Sequence, residues 1–228
     1  MSRLDHIETW IFDLDNTLYP ASCRLFDQVD QRMSAFVCDF LKLDPAEARA
    51  LQKRYLKEFG TTLRGLMVNH QCPPEQFLEQ IHAIDYSAVR PDARLDRALQ
   101  RLPGRKLIFT NGSVPPAERV MERLGVARHF AGVFDIVAAG YWPKPEISAY
   151  EDLLRAYAVE PRRAAFIEDL PRNLVPAAAL GMTTVLVKTD SEWAQDAAAG
   201  AHIHHVTDDL PGWLAEAADR IALRPAAD

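Results

Sequence analysis

Cysteine is scarce in this 228-residue chain: Cys23, Cys38 and Cys72 are odd in number, far apart and form no Cys-x-x-Cys pair. That spacing argues against a disulfide framework and suits reduced thiols packed among other side chains. Long apolar runs are missing too. No stretch approaches the roughly 20 residues of a membrane-spanning helix, and the opening Met1-Ser2-Arg3-Leu4-Asp5-His6 has no apolar signal segment, so a cytoplasmic protein with no membrane partner is expected. Nor is there a run of basic residues. With 26 Lys and Arg against 32 Asp and Glu, the formal net charge is -6. Such a surface does not supply the phosphate neutralisation that polymeric nucleic acid demands, though it leaves room for a local pocket around one phosphate. No internal repeat is visible; only Ala194–Ala201 and the end after Arg224 are compositionally simple, and the latter is expected to fray. What the chain does have is apolar bulk: 48% of residues, enough for the core of an α/β domain with an inserted subdomain.

Short runs rich in β-branched residues recur along it: Thr9–Phe12, Lys106–Phe109, Phe134–Val137, Ala165–Ile167 and Thr184–Val187. They lack polar alternation, as strands do when helices cover both faces, and helical patterns separate them, which predicts a doubly wound, Rossmann-like parallel sheet. Pro115-Pro116 can open one of those helices and Gly125 close it, and Gly181 closes another that starts near Pro171. Residues 21–87 differ. Leu25, Val29, Met33, Phe36, Val37, Phe40 and Leu41 fall on one helical face. Asp44-Pro45-Ala46-Glu47 resembles a capping box before a second helix through Leu51, Tyr55 and Phe59, and a third follows Pro73-Pro74. The expected organisation is therefore an α/β core, 1–20 and 88–228, with an all-helical cap at 21–87 inserted after the first strand. His202, His204 and His205 invite a metal reading, but their spacing around Ile203 reads better as an edge strand.

Four pieces carry chemistry where predicted strands end, the edge at which open α/β sheets place ligands. Asp13 and Asp15 are two apart and face one site. At about 4 Å their repulsion is roughly 4 kcal/mol at an effective dielectric near 20, so the pair implies a metal or a shared proton. Thr110-Asn111-Gly112 offers a hydroxyl, an amide and open backbone N–H groups; Lys144 stands between Pro143 and Pro145; Glu168-Asp169 is followed by Asn173. Hard oxygen ligands of this kind suit Mg²⁺. Alone, each piece has a bland alternative: an Asn-Gly turn, a solvated loop lysine, or acids at a helix N-terminus.

Together and in this order, Asp-x-Asp-x-Thr, Thr-Asn-Gly, Lys and Glu-Asp closely resemble the motifs of the haloacid dehalogenase-like hydrolase superfamily. The stretch Trp10–Pro20, the cap segment Gly60-Thr61-Thr62-Leu63-Arg64-Gly65-Leu66 and Phe109–Gly112 resemble its pyrimidine 5′-nucleotidase branch. That resemblance implies a phosphatase that hydrolyses a small phosphate monoester such as UMP or CMP through an aspartyl-phosphate on Asp13. Asp15 would serve as acid and then base, and Thr110, Asn111 and Lys144 would complete the catalytic set. Mg²⁺ would be held by Asp13, the Asp15 carbonyl, Asp169 and Glu168, directly or through water, with Asn173 supporting these ligands. Thr17, Gly112 and Arg64 would bind substrate. Members that displace halide lack an acid at the position of Asp15, so dehalogenation is not expected. One departure bears on the substrate: the branch commonly shows a basic residue and His-Ala after Thr-Asn-Gly, and here Pro115-Pro116-Ala117 stand instead. A sugar phosphate or pyridoxal phosphate as substrate, a phosphomutase, and a catalytically silent binding or regulatory protein are the alternatives. The oligomeric state is left open.

Overall fold

The computed structural model describes residues 4–189 and 200–223. Among the described residues, six strands form one all-parallel sheet: β1 (Thr9–Phe12), β2 (Arg105–Phe109), β3 (Val133–Phe134), β4 (Ala164–Glu168), β5 (Thr183–Val187) and β6 (His205–Thr207), in the order β3-β2-β1-β4-β5-β6. Because side chains alternate across a strand, each central strand serves two cores. Trp10 and Phe12 enter a layer with α5 (Ala93–Arg101), α6 (Val114–Leu124) and α9 (Leu210–Ala222). Ile11 enters the opposite layer with α7 (Ile147–Ala156) and α8 (Pro171–Ala179). This double burial is the reason the strands carry no polar alternation. The strand order reverses between β1 and β4, and the carboxyl ends of these central strands open into a crevice there.

Between β1 and α5 the chain forms α1 (Leu25–Leu41), α2 (Pro45–Phe59), α3 (Thr62–His70) and α4 (Pro74–Ile81) around an apolar cluster of their own, including Phe36, Val37, Tyr55, Leu66 and Phe77. The Asp44 carboxylate caps α2 by accepting from Ala46 N and Glu47 N at 2.8 and 3.0 Å. Four helices stand here where the spacing predicts three. Thr61, capping Arg64 N at 3.2 Å, starts α3 immediately after the left-handed Gly60 that ends α2.

Two strands also differ from expectation. β3 stops at Phe134, because the Asp135 carboxylate turns inward to accept from Val114 N and Ala138 N, and Ile136 leaves the sheet to join the cap's apolar cluster. β6 is an edge strand, but it takes in only His205 of the three histidines; His202 and His204 instead bind Thr184 through a carbonyl and a ring nitrogen. Cys23, Cys38 and Cys72 are free thiols, half-buried or buried. No helix among the described residues is long and apolar enough to cross a membrane. The simple stretch that begins at Ala194 lies mostly outside the described residues, and the end after Arg224 lies wholly outside them.

Candidate active site

Asp13 follows β1 directly and is 5% exposed, in the crevice between the sheet and the helical insertion. Both of its carboxylate oxygens are held: Oδ1 accepts from Lys144 Nζ at 2.6 Å and Oδ2 from Thr17 Oγ1 at 2.9 Å. The remaining two N–H groups of the Lys144 ammonium go to Glu168 Oε2 at 2.8 Å and the Phe109 carbonyl at 2.9 Å, so all three donors are used. Asn111 fixes the backbone of this lysine from both sides, its Oδ1 accepting from Lys144 N at 2.8 Å and its Nδ2 donating to Lys144 O at 3.2 Å. Thr110 is buried, and its Oγ1 accepts from Gly112 N at 2.9 Å, which leaves its own proton to donate.

Asp15 is two residues on, before a turn in which Asn16 takes a left-handed conformation with φ 58 that asparagine tolerates. Its Oδ1 accepts from Tyr19 Oη at 2.5 Å. A cavity of about 180 Å³ joins Asp13, Asp15, Thr110, Asn111, Gly112, Lys144, Glu168, Asp169 and Asn173 below to an apolar roof from the helical insertion, including Phe26, Met33 and Phe77. Among the residues that sequence reasoning singles out, Thr17 and Arg64 do not line it. Thr17 sits behind Asp13 and orients it. The Arg64 guanidinium lies 3.9 Å over the Trp142 ring, where it joins α3 to the loop that carries Lys144.

Residues 7–181 match the sequence profile of the haloacid dehalogenase-like hydrolases. The chain belongs to this family. Among curated proteins, "Phosphate metabolism protein 8" of Saccharomyces cerevisiae is 29% identical over 197 residues, 78% of this chain and 61% of that protein. This chain thus spans less than two thirds of that relative's length. Among solved structures, CbbY from Rhodobacter sphaeroides in complex with phosphate superposes with a TM-score of 0.62 at 21% identity, over 92% of this chain and 96% of that one. The L-2-haloacid dehalogenase from Xanthobacter autotrophicus gives 0.59 at 16% identity, over 96% and 100%. Both share the fold.

In this haloacid dehalogenase-like site the charges do not balance. Ligand oxygens of Asp13, Glu168 and Asp169 all lie within 4.8 Å of one another, three buried carboxyls against one ammonium. Burial, then the Glu168 charge, pushes Asp13 up to about 7 against the pull of Lys144. Burial, then Glu168 and Asp13, pushes Asp169 up to about 10. The Lys144 ammonium is held well above its ordinary value by Asp13 and Glu168, which outweigh its own burial. Asn173 Oδ1 is buried and without a hydrogen-bond partner among the described residues. A surplus of buried hard oxygens next to an orphaned acceptor fits a hydrated divalent cation, whose water can donate to that amide oxygen. Tyr19 and His82 are among the lining residues that escape sequence reasoning. Tyr19 lies inside the first motif, but no spacing rule marks a phenol four residues on as a partner of Asp15. His82 follows α4 as a lone histidine with no local signature at all.

Proposed function

We propose that this protein is a Mg²⁺-dependent phosphatase that hydrolyses a small phosphate monoester through an aspartyl-phosphate on Asp13, with a pyrimidine nucleoside 5′-monophosphate as substrate. The observation that carries the phosphatase reading is Asp15. Relatives in fold include both a haloacid dehalogenase and a protein solved with phosphate, so the fold does not choose between them. A second carboxyl opening into the cavity of Asp13 and held by Tyr19 is what an alkoxide leaving group needs and a halide does not.

An Asp13 oxygen bonds to phosphorus as the ester P–O bond breaks, and Asp15 gives its proton to the departing oxygen, releasing an alcohol. Water then attacks the phosphorus, Asp15 takes its proton, and the bond to Asp13 breaks to release inorganic phosphate. Dividing one hard displacement into two is the advantage of a carboxylate nucleophile. Lys144 favours the ionised form of Asp13, and Thr110 and Gly112 face the phosphate oxygens. Mg²⁺, held by Asp13, Asp169, Glu168 and the Asp15 carbonyl, would neutralise the charge shared by nucleophile and phosphate.

The nucleotide assignment is supported by the cap segment that resembles the pyrimidine branch, since Gly60, Thr61, Thr62 and Leu63 line the roof. A sugar phosphate is the second reading: Pro116 and Ala117, which stand where the branch commonly differs, also line the cavity. Phosphate release from UMP, CMP, ribose 5-phosphate and pyridoxal phosphate, with Mg²⁺ or with chelator, tests both. Metal-dependent preference for UMP or CMP is expected; preference for the other esters would discard the nucleotide, and absence of any turnover would discard the phosphatase.

A further inference from the structure

The roof of the cavity is mostly apolar, and His82 is the one imidazole among the described residues that line it. It ends α4, with its backbone held at both groups: N donates to Leu78 O at 3.3 Å, and O accepts from Tyr86 Oη at 3.0 Å. Its ring is held as well, because Nδ1 lies 2.9 Å from Leu78 O. A carbonyl oxygen can only accept, so Nδ1 carries the hydrogen, and in the neutral ring Nε2 is a bare lone pair. Two charged groups act on this ring, Asp15 favouring the imidazolium and Arg119 opposing it; burial outweighs the favourable charge and holds the imidazole below its ordinary value, hence neutral at pH 7.

Nε2 approaches Gly112 more closely than any other atom of the ring. A Cβ at Gly112 would stand 3.6 Å from Nε2 and 3.3 Å from Thr110 Oγ1, so the imidazole lies directly over the turn that faces the phosphate. No hydrogen bond from the described residues reaches Nε2. The oxygens of a dianionic phosphate only accept and do not complete it, which leaves a hydroxyl of the rest of the substrate as the donor the substrate can bring. Between Gly112 on the phosphate side and Asp15 on the acid side, that part is the carbon skeleton next to the ester oxygen.

We propose that His82 Nε2 accepts a hydrogen bond from a hydroxyl of the leaving alcohol, and that the site therefore selects phosphate esters of polyhydroxylated alcohols, the sugar phosphates and nucleoside 5′-phosphates, over esters lacking such a donor. The inference rests on the phosphatase reading and not on the pyrimidine. His82 is then the acceptor by which the helical insertion, mostly apolar over the cavity, reads the alcohol. Once the substrate displaces water from the cavity, an acceptor left unpaired there costs enough to discriminate strongly, which makes a hydrogen-bonding site more selective than an apolar one.

The test uses the full chain with Mg²⁺ and three esters: uridine 5′-monophosphate, ribose 5-phosphate and phenyl phosphate, the last with no hydroxyl. In His82→Ala, kcat/KM for the hydroxylated esters is expected to fall at least about tenfold, with phenyl phosphate within about twofold of the parent. His82→Gln, whose amide oxygen can occupy the place of Nε2, is expected to recover part of the loss. Equal loss on all three esters would reduce His82 to a structural role and overturn the proposal, as would no loss on any. If the parent hydrolyses ribose 5-phosphate but not the nucleotide, the pyrimidine assignment fails and this inference stands. If it hydrolyses none of the three, the phosphatase reading falls and the inference falls with it.

Discussion

Both oxygens of Asp13 and all three donors of Lys144 have counterparts, and the consequences of a substitution follow from which counterpart it strands. Asp13→Asn is the mildest structurally: the amide oxygen can face Lys144 Nζ, and its NH₂ can donate to Thr17 Oγ1, which turns from donor to acceptor. The variant should fold with an unchanged denaturation midpoint and lose turnover by at least roughly 10⁴-fold, the scale of removing a covalent nucleophile; measurable steady-state turnover at the parent rate would reject the aspartyl-phosphate. Lys144→Ala is the opposite case, since it leaves Asp13 and Glu168 buried without their cation. Breaking a buried pair in this way costs about 3–5 kcal/mol, so urea denaturation without metal should show a lowered midpoint as well as lost activity. Tyr19→Phe removes only the phenolic hydroxyl that donates to Asp15. We expect kcat to fall about tenfold with KM within about twofold, from the loss of a hydrogen bond that orients the acid; an unchanged kcat would mean the ring simply fills space.

One loop makes contacts with three of the helices that meet the cavity from above. Between β3 and α7, Tyr141 Oη donates to Glu75 Oε1 of α4 at 3.0 Å, Trp142 lies under Arg64 of α3, and Pro143 packs close to Gly60 at the end of α2. The next residue is Lys144. Cap position and lysine position are thus linked through four consecutive residues. Arg64→Ala should lower stability by about 0.5–1 kcal/mol, the scale of a half-exposed cation–π contact, as read from a denaturant midpoint. Ratios of kcat/KM between esters should not change. A changed ratio would restore Arg64 as a substrate ligand, the role that its place in the cap segment suggests. Gly60 is required at that junction twice over: its φ is +78, and a Cβ would press to 3.1 Å of Pro143.

Across the whole molecule, the surplus of buried carboxyls couples folding to protons. Asp13 and Asp169 bind protons more tightly in the folded chain, at about 7 and about 10, than at the ordinary carboxyl value of 3.8. Between those values the folded state holds more protons than the unfolded one, so without metal the contribution of these groups to stability is full below about 3.8 and is lost as pH rises towards 7 and then 10. A divalent cation bound by these carboxyls would replace those protons. The increase in Tm caused by saturating Mg²⁺ should therefore be larger at about pH 8 than at about pH 5, by calorimetry at fixed ionic strength. Equal increments at the two pH values would mean that the cation does not bind these carboxyls.

Much of this was legible in the chain itself, wherever a physical rule is local. Strand burial on both faces shows as unbroken apolar runs. Helix starts show as Asp44 before a proline, and the shared direction of Asp13 and Asp15 follows from a two-residue repeat. The order of four motifs was enough to expect a crevice lined with carboxylates, a lysine and a hydroxyl. Tertiary structure alone decided which of these groups meet. Lys144 lies 131 positions from Asp13 and 24 from Glu168, yet its single ammonium binds both, because β1, β2 and β4 are neighbours in a sheet whose order does not follow the sequence. The same holds for Arg64 over Trp142 and for His82 over Gly112. A residue's burial is foreshadowed by the pattern of its neighbours along the chain, but its partner is set by the path of every loop between them.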